Sequence, residues 1–282
     1  MPDSKPVNTA NPFLYSFGEK TYDLSARTYV MGILNVTPDS FSDGGKYLDP
    51  ADAVSRALQM IDEGADFIDV GGESTRPGAG PVPLAEELNR VLPVISALAG
   101  KTDTPISVDT YKPQVAMSAL DAGAVIVNDI SGMAFDDALA KLAREMGASI
   151  VLMHMKGEPR TMQNNPAYDN LWQEVIDYLQ QRIEHVRSSG LKQIIIDPGI
   201  GFGKRPEHNL EILKNLSNLK PLGYPILIGA SRKSFIGKVL DLQAEDRLEG
   251  SLAAAVVSVM NGASIVRVHD VKETKRAVAI AD

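Results

Sequence analysis

Eight short apolar runs, each followed by a stretch of helical periodicity, predict an α/β fold: a (β/α)8 TIM barrel in a single domain. The runs fall at roughly 29–35, 66–71, 105–109, 125–129, 149–154, 194–198, 225–230 and 264–268. They are rich in Val and Ile with almost no polar alternation, as expected of parallel strands buried on both faces. The second observation is a recurring junction: GADFIDV from Gly64, GAVIVND from Gly123, GASIVLM from Gly147 and GASIVRV from Gly262. In each, a glycine that can take the left-handed cap conformation closes a helical stretch, and a strand follows at once. An open, doubly wound sheet is the alternative.

Residues 1–27 precede the first strand and are expected to form an N-terminal extension and a cap on the barrel bottom; the barrel itself takes residues 28–282. After the first strand, Asp49-Pro50 supplies an N-cap followed by proline at the first helical position. Val54, Ala57, Leu58 and Ile61 then repeat at i, i+3, i+4, i+7, up to Gly64. The same spacing links Leu139, Leu142, Ala143 and Met146 ahead of Gly147. A long amphipathic helix is expected over 168–189, with His185 as a solvated or capping residue. The last helix, within VKETKRAVAIA, looks short.

The 282 residues are 44% hydrophobic, enough for a large core, and contain no cysteine. Disulfides and thiolate metal sites are therefore excluded. No run approaches the ~18 continuous apolar residues of a membrane span. The first residues carry no charged-then-apolar leader pattern, so a cytoplasmic protein is expected. A net charge of −8 argues against general nucleic-acid binding, though an acidic protein can hold an anion where its cations converge.

Barrels of this kind do their chemistry at the C-terminal ends of the strands. Here those ends carry Asn35, Asp69, Asp109, Asn128-Asp129, His154, Asp197, Gly229–Ser231, Arg267 and His269. Any one of them is explained by a helix cap or an Asx-turn. Their accumulation at one rim is not, because gathered carboxylates are costly unless a ligand or cation satisfies them.

Four stretches sharpen this. GGESTRPGAG (71–80) sets Thr75 and Arg76 in a glycine-rich loop, where backbone N–H groups and a guanidinium fork suit phosphate. IDPGIGFGK (196–204) lacks the spacing of a dinucleotide-binding loop. GASRKSFIG (229–237) places Lys233 and Ser234 at a helix start, where anions are favoured and a cation is not, so Lys233 should turn into the barrel mouth. VRVHD (266–270) alternates Arg267 and His269, which should therefore face one side and suggest an anionic ligand. Met153 suits a pocket floor or the core equally. No Cys/His metal set occurs, so any metal would be a hard cation with oxygen ligands, which points to magnesium. MGILNVTPDSFSDGG (31–45) is too long for a simple strand-to-helix turn. Its residues 36–45 are expected to form a lid that closes Phe41 over a loaded site.

Taken in order, MGILNVTPDSFSDGG, IDVGGESTRPG, SVDTYKP, VNDI, LMHMKGEPRTMQ, IDPGIGFGK, SRKSFIG and RVHDV resemble the bacterial dihydropteroate synthase family, from about residue 17 to the C-terminus. The resemblance implies a (β/α)8 barrel, usually a homodimer, in folate biosynthesis. The reaction it implies joins para-aminobenzoate to 6-hydroxymethyl-7,8-dihydropterin pyrophosphate with Mg²⁺, and sulfonamides compete with para-aminobenzoate. Carried over residue by residue, Asp109, Asn128, Asp197 and Lys233 match the pterin pocket, with Met153 and Phe202 among the substrate-binding positions. Asn35, Thr75, Arg76, Arg267 and His269 match the pyrophosphate and magnesium positions, Asn35 being the metal ligand. Ser234 matches the dock for the aminobenzoate carboxylate; Phe41, Asp43 and Pro77 match loop positions around it. Lys233, Asp109, Asp197, Asp43, Arg267 and His269 are the candidates for the chemistry, which is expected to be SN1-like. The first ~12 residues have no recognised counterpart. The alternative is a pterin-binding, methyltransferase-type module, which would need no phosphate clamp; Arg76, Arg267 and the SRKS stretch argue against it. A Schiff-base aldolase using Lys233 is a third reading.

Overall fold

A computed structural model describes residues 13–37, 49–74, 80–133, 138–158 and 161–282. Eight parallel strands form one sheet: β3 (Tyr29–Asn35), β4 (Phe67–Gly71), β5 (Ile106–Asp109), β6 (Ile126–Asp129), β7 (Ser149–Met153), β8 (Ile194–Asp197), β9 (Leu227–Ile228) and β10 (Ile265–Val268). The hydrogen-bonded order runs β8-β7-β6-β5-β4-β3-β10-β9, and a parallel bridge between Ile196 and Ile226 closes the ring into a barrel.

Helices α1 (Pro50–Asp62), α2 (Leu84–Ala99), α3 (Pro113–Asp121), α4 (Ala138–Glu145), α5 (Leu171–Ser188), α6 (Pro206–Lys214), α7 (Ser234–Leu240), α8 (Leu248–Met260) and α9 (Val271–Ala281) surround it. The Asp49 side chain caps α1 by accepting from Ala51 N, with Pro50 at the first position. The junction glycines take positive φ, and at Gly123 (φ 112°) a Cβ would meet Ala99 Cβ at 2.6 Å, so the helix-to-strand turn needs glycine there. The helix expected over 168–189 starts only at Leu171, because Asn170 is its N-cap and accepts from Gln173 N. The expected strand 225–230 shortens to two residues. Pro225 has no N–H for the ladder, and the chain beyond Ala230 bends into a loop where Arg232 takes φ 55°.

One core lies between strands and helices; a second fills the barrel floor with Met31, Phe67, Ile126, Val151, Ile195, Leu227 and Ile265. An antiparallel hairpin, β1 (Leu14–Phe17) and β2 (Lys20–Asp23), packs onto that floor. Tyr15 and Phe17 point inward; the Phe17 ring meets Phe67 edge-on at 5.1 Å and Tyr15 Oη donates to the Ile194 carbonyl at 2.5 Å. Burying one such ring is worth about 1.5–3 kcal/mol, which accounts for the order of a hairpin too short to stand alone.

Candidate active site

The C-terminal rim gathers the polar strand ends. Asp109 ends β5, Asp129 ends β6 with Asn128 just before it, Asp197 ends β8 and Asn35 ends β3. Arg267 of β10 reaches across them. Its Nε donates to Asp69 Oδ2 at 2.5 Å and its Nη2 to Asp109 Oδ2 at 2.7 Å. Asn128 Nδ2 donates to the same Asp69 oxygen at 3.0 Å. Asp69 is fully buried, and among the described residues its Oδ1 has no hydrogen-bond partner.

Burial pushes the Asp109 carboxyl up to about 7, against the pull of Arg267 and with a further push from Asp69. Burial works against the charge on Arg267, but the carboxylates of Asp69 and Asp109 outweigh it and raise the guanidinium above its ordinary value. Asp197 is raised by burial, although Lys233 and the Gly199 N–H, which donates to Asp197 Oδ1 at 2.7 Å, draw it back. Burial brings Lys233 down to about 8, with Asp197 opposing the fall. The Lys233 ammonium turns away from the start of α7, donates to the Ile200 carbonyl and stands 4.3 Å from the Phe202 ring centroid. Phe202 and Met153 belong to one apolar cluster with Ile130, Met155 and Met162, so both lie in the same lining beside the acidic groups.

Asn128 and Asp129 separate. Asp129 accepts from Ser131 N (2.8 Å), Ser131 Oγ (3.0 Å) and Met133 N (2.7 Å), so it shapes the turn after β6. Neighbouring residues on a strand point to opposite faces, and only Asn128 turns to the Asp69 carboxylate. Arg267 and His269, expected on one side, take different partners: His269 Nδ1 lies 3.0 Å from Ser231 Oγ. His269 and Asn35 line a cavity of about 190 Å³ together with Arg56, Arg232 and Asp270. Ser234 is exposed at the first residue of α7. Phe41, Asp43, Thr75, Arg76 and Pro77, and residues 38–45 of the expected lid, fall in stretches outside the described residues.

Two buried residues beside the site were given no role from sequence. Asp69 sits inside an apolar run and reads as one strand-end polar among several; only the closed barrel brings Arg267 to it. Lys204 follows a glycine loop with no local sign of burial, yet it is 2% exposed. Among the described residues no group of three or more His, Cys, Asp or Glu is placed to hold a metal. Asn35 alone, a neutral oxygen donor at the cavity, fits a magnesium that keeps water and phosphate ligands better than a resident metal cage.

The mouth of a parallel barrel thus gathers buried carboxylates, an amide and a lysine, the setting of an enzyme site for a small polar ligand. The family model for "Pterin binding enzyme" matches residues 31–269. A dihydropteroate synthase of Clostridium beijerinckii is 48% identical over 268 residues, 94% of this chain and 97% of the relative. The Escherichia coli K12 dihydropteroate synthase is 48% identical over 262 residues, 92% of each chain. The solved Yersinia pestis dihydropteroate synthase with a sulfonamide drug complex superposes with a TM-score of 0.90 at 45% identity, covering 95% of this chain and 98% of that one. The Clostridium difficile enzyme solved in the presence of pteroic acid gives 0.87 at 47% identity, covering 93% and 98%. The chain belongs to the pterin-binding enzyme family. Its activity is that of a dihydropteroate synthase, a transferase of folate biosynthesis.

Proposed function

We propose that Asp109, Asn128, Asp197 and Lys233 hold the dihydropterin ring of 6-hydroxymethyl-7,8-dihydropterin pyrophosphate, and that para-aminobenzoate attacks its methylene carbon. The observation that carries this is the convergence of two carboxylates, an amide and a lysine with the Met153–Phe202 lining. A pterin offers amino and ring N–H donors to the carboxylates, and a carbonyl and ring nitrogen to Lys233. With Asn128 Nδ2 directed to Asp69, the side-chain Oδ1 of Asn128 is the atom to accept from the ligand.

Arg267 and His269 take the pyrophosphate, together with Thr75 and Arg76. The C–O bond breaks first, pyrophosphate leaves with the electron pair, and the cation spreads into the pterin ring. Asp109 and Asp197 stabilise that charge, and fixed dipoles and charges at the mouth are ready for it without reorganisation. The amine of para-aminobenzoate then forms the C–N bond and loses a proton. Ser234 receives the aminobenzoate carboxylate, and the Phe202 and Met153 side chains help exclude water. Sulfonamides compete at the same place. Asn35 is the residue to hold Mg²⁺, which when bound supplies neutralising charge to the leaving pyrophosphate. The reaction is assigned to the cytoplasm; among the described residues no helix is long and apolar enough to cross a membrane.

The working form is a homodimer. Val239 and Leu240 of α7 and Val257 and Met260 of α8 are exposed apolar side chains that a second copy would cover. Sedimentation of Met260→Glu should show monomers where the parent chain shows dimers.

The deciding experiment is release of pyrophosphate. It should require both substrates and Mg²⁺; release without para-aminobenzoate at the full rate would refute the assignment of the acceptor. A module that only presents a methylated folate to a partner would release none.

A further inference from the structure

Behind Asp197 lies a buried lysine that the reaction does not use. Lys204 Nζ stands 2.8 Å from His154 Nδ1 and donates to the Phe202 carbonyl at 3.1 Å. Lys204 is 2% exposed and His154 3%. Burial and then Lys204 itself drive the His154 imidazole down to about 2, so it is neutral. Burial pushes the Lys204 ammonium well below its ordinary value, against the pull of Asp197. The neutral imidazole can offer Nδ1 as an acceptor, and Lys204 Nζ has donors for both it and the Phe202 carbonyl, so the buried pair is satisfied.

The pair sits under the loop 198–203. The carbonyls of residues 199–203 are all taken: Gly199 by Phe202 N, Ile200 by Lys233 Nζ, Gly201 by Gln163 Nε2, Phe202 by Lys204 Nζ and Gly203 by Tyr168 Oη. The loop lies flat on the exit of β7: a Cβ at Gly199 would come within 1.8 Å of the His154 carbonyl oxygen. Two of its residues touch Lys233, Ile200 through its carbonyl and Phe202 through its ring.

We propose that Lys204 is a positioning residue for the pterin pocket: by tying the Phe202 carbonyl to His154, it sets the loop that holds Lys233 in place. It touches no substrate and acts through the loop. The proposal rests on the assignment of Lys233 to the pterin, which binding of 6-hydroxymethyl-7,8-dihydropterin to the unmodified enzyme tests separately.

The experiment is calorimetry with that pterin, beside steady-state kinetics. Lys204→Met keeps the length and removes the donors. It should raise the pterin Kd and the KM for the pyrophosphorylated substrate roughly tenfold, equivalent to about 1.4 kcal/mol, and leave the KM for para-aminobenzoate within about twofold. In a Lys233→Ala background the same change should cost little further, since the two act as one unit. Unchanged pterin affinity, equal losses for both substrates, or full additivity with Lys233→Ala would overturn the proposal. If Lys204→Met does not fold, His154 decides. His154→Asn keeps an amide atom near the place of Nδ1 and should retain pterin affinity, while His154→Leu should lose it. Equal behaviour of the two would also overturn the proposal.

Discussion

Asp69 Oδ2 accepts from Asn128 Nδ2 at 3.0 Å and from Arg267 Nε at 2.5 Å, so one fully buried carboxylate orients both an amide and a guanidinium at the barrel mouth. Removing it leaves Arg267, among the described residues, with Asp109 as its ion-pair partner. Asp69→Ala is therefore expected to destabilise the fold on the order of 3 kcal/mol, the usual cost of breaking a buried pair on one side. It should also weaken pterin binding, since Asn128 loses its orientation. Denaturant unfolding and calorimetry check both; a variant as stable as the parent would deny Asp69 this role.

Lys233→Ala should abolish most turnover and weaken pterin binding while the melting temperature stays close to that of the parent. The reason is energetic: burial already disfavours the Lys233 charge, so its loss removes a strained group from the fold and a donor from the ligand. Near-normal turnover in a folded variant would contradict the pocket assignment.

The pH dependence of kcat/KM for the pterin substrate should be bell-shaped with its maximum between about 7 and 8. Asp109 is raised to about 7, so it takes up a proton below that value and ceases to be a carboxylate acceptor. Lys233 is lowered to about 8, so it loses its charge above that value. Profiles of kcat/KM report the free enzyme's groups, and Lys233→Ala should remove the alkaline limb alone.

His269→Ala and Arg267→Ala should differ. His269 is assigned to the phosphates only, so its loss should weaken the pyrophosphorylated substrate by roughly 1.5–3 kcal/mol and spare the free pterin. Arg267 also holds Asp109 and Asp69, so its loss should weaken both ligands. Calorimetry with the two ligands separates the outcomes; equal losses for His269→Ala would remove it from the phosphate site.

Much of this architecture is local and so was legible in the chain. Strand positions follow from apolar runs, and each run's polar end marks the rim whatever the strand's neighbours turn out to be. Asp109, Asn128 and Asp197 were candidates because motif and strand end coincide, and Lys233 because its motif opens a helix where a cation is disfavoured. The stretches bearing Phe41 and Arg76 were equally plain as sequence, but their geometry lies outside the described residues.

What the linear pattern determined is the eight-fold β/α repeat, its glycine junctions and the family, because each depends on spacing within a few residues or on motifs read in order. Tertiary structure decided the partners. Arg267 is 198 residues from Asp69, and only the parallel register through β3 brings β10 and β4 close enough for the pair to form. Asn128 and Asp129 are alike in sequence, yet the pleat turns one to the Asp69 carboxylate and the other into a turn. Nothing local in the sequence marks Lys204 as buried; loop 198–203 folds over it, and burial then disfavours its charge beside His154. Spacing specifies elements, but which charges meet, and which are disfavoured by burial, depends on the closed barrel and the water it excludes.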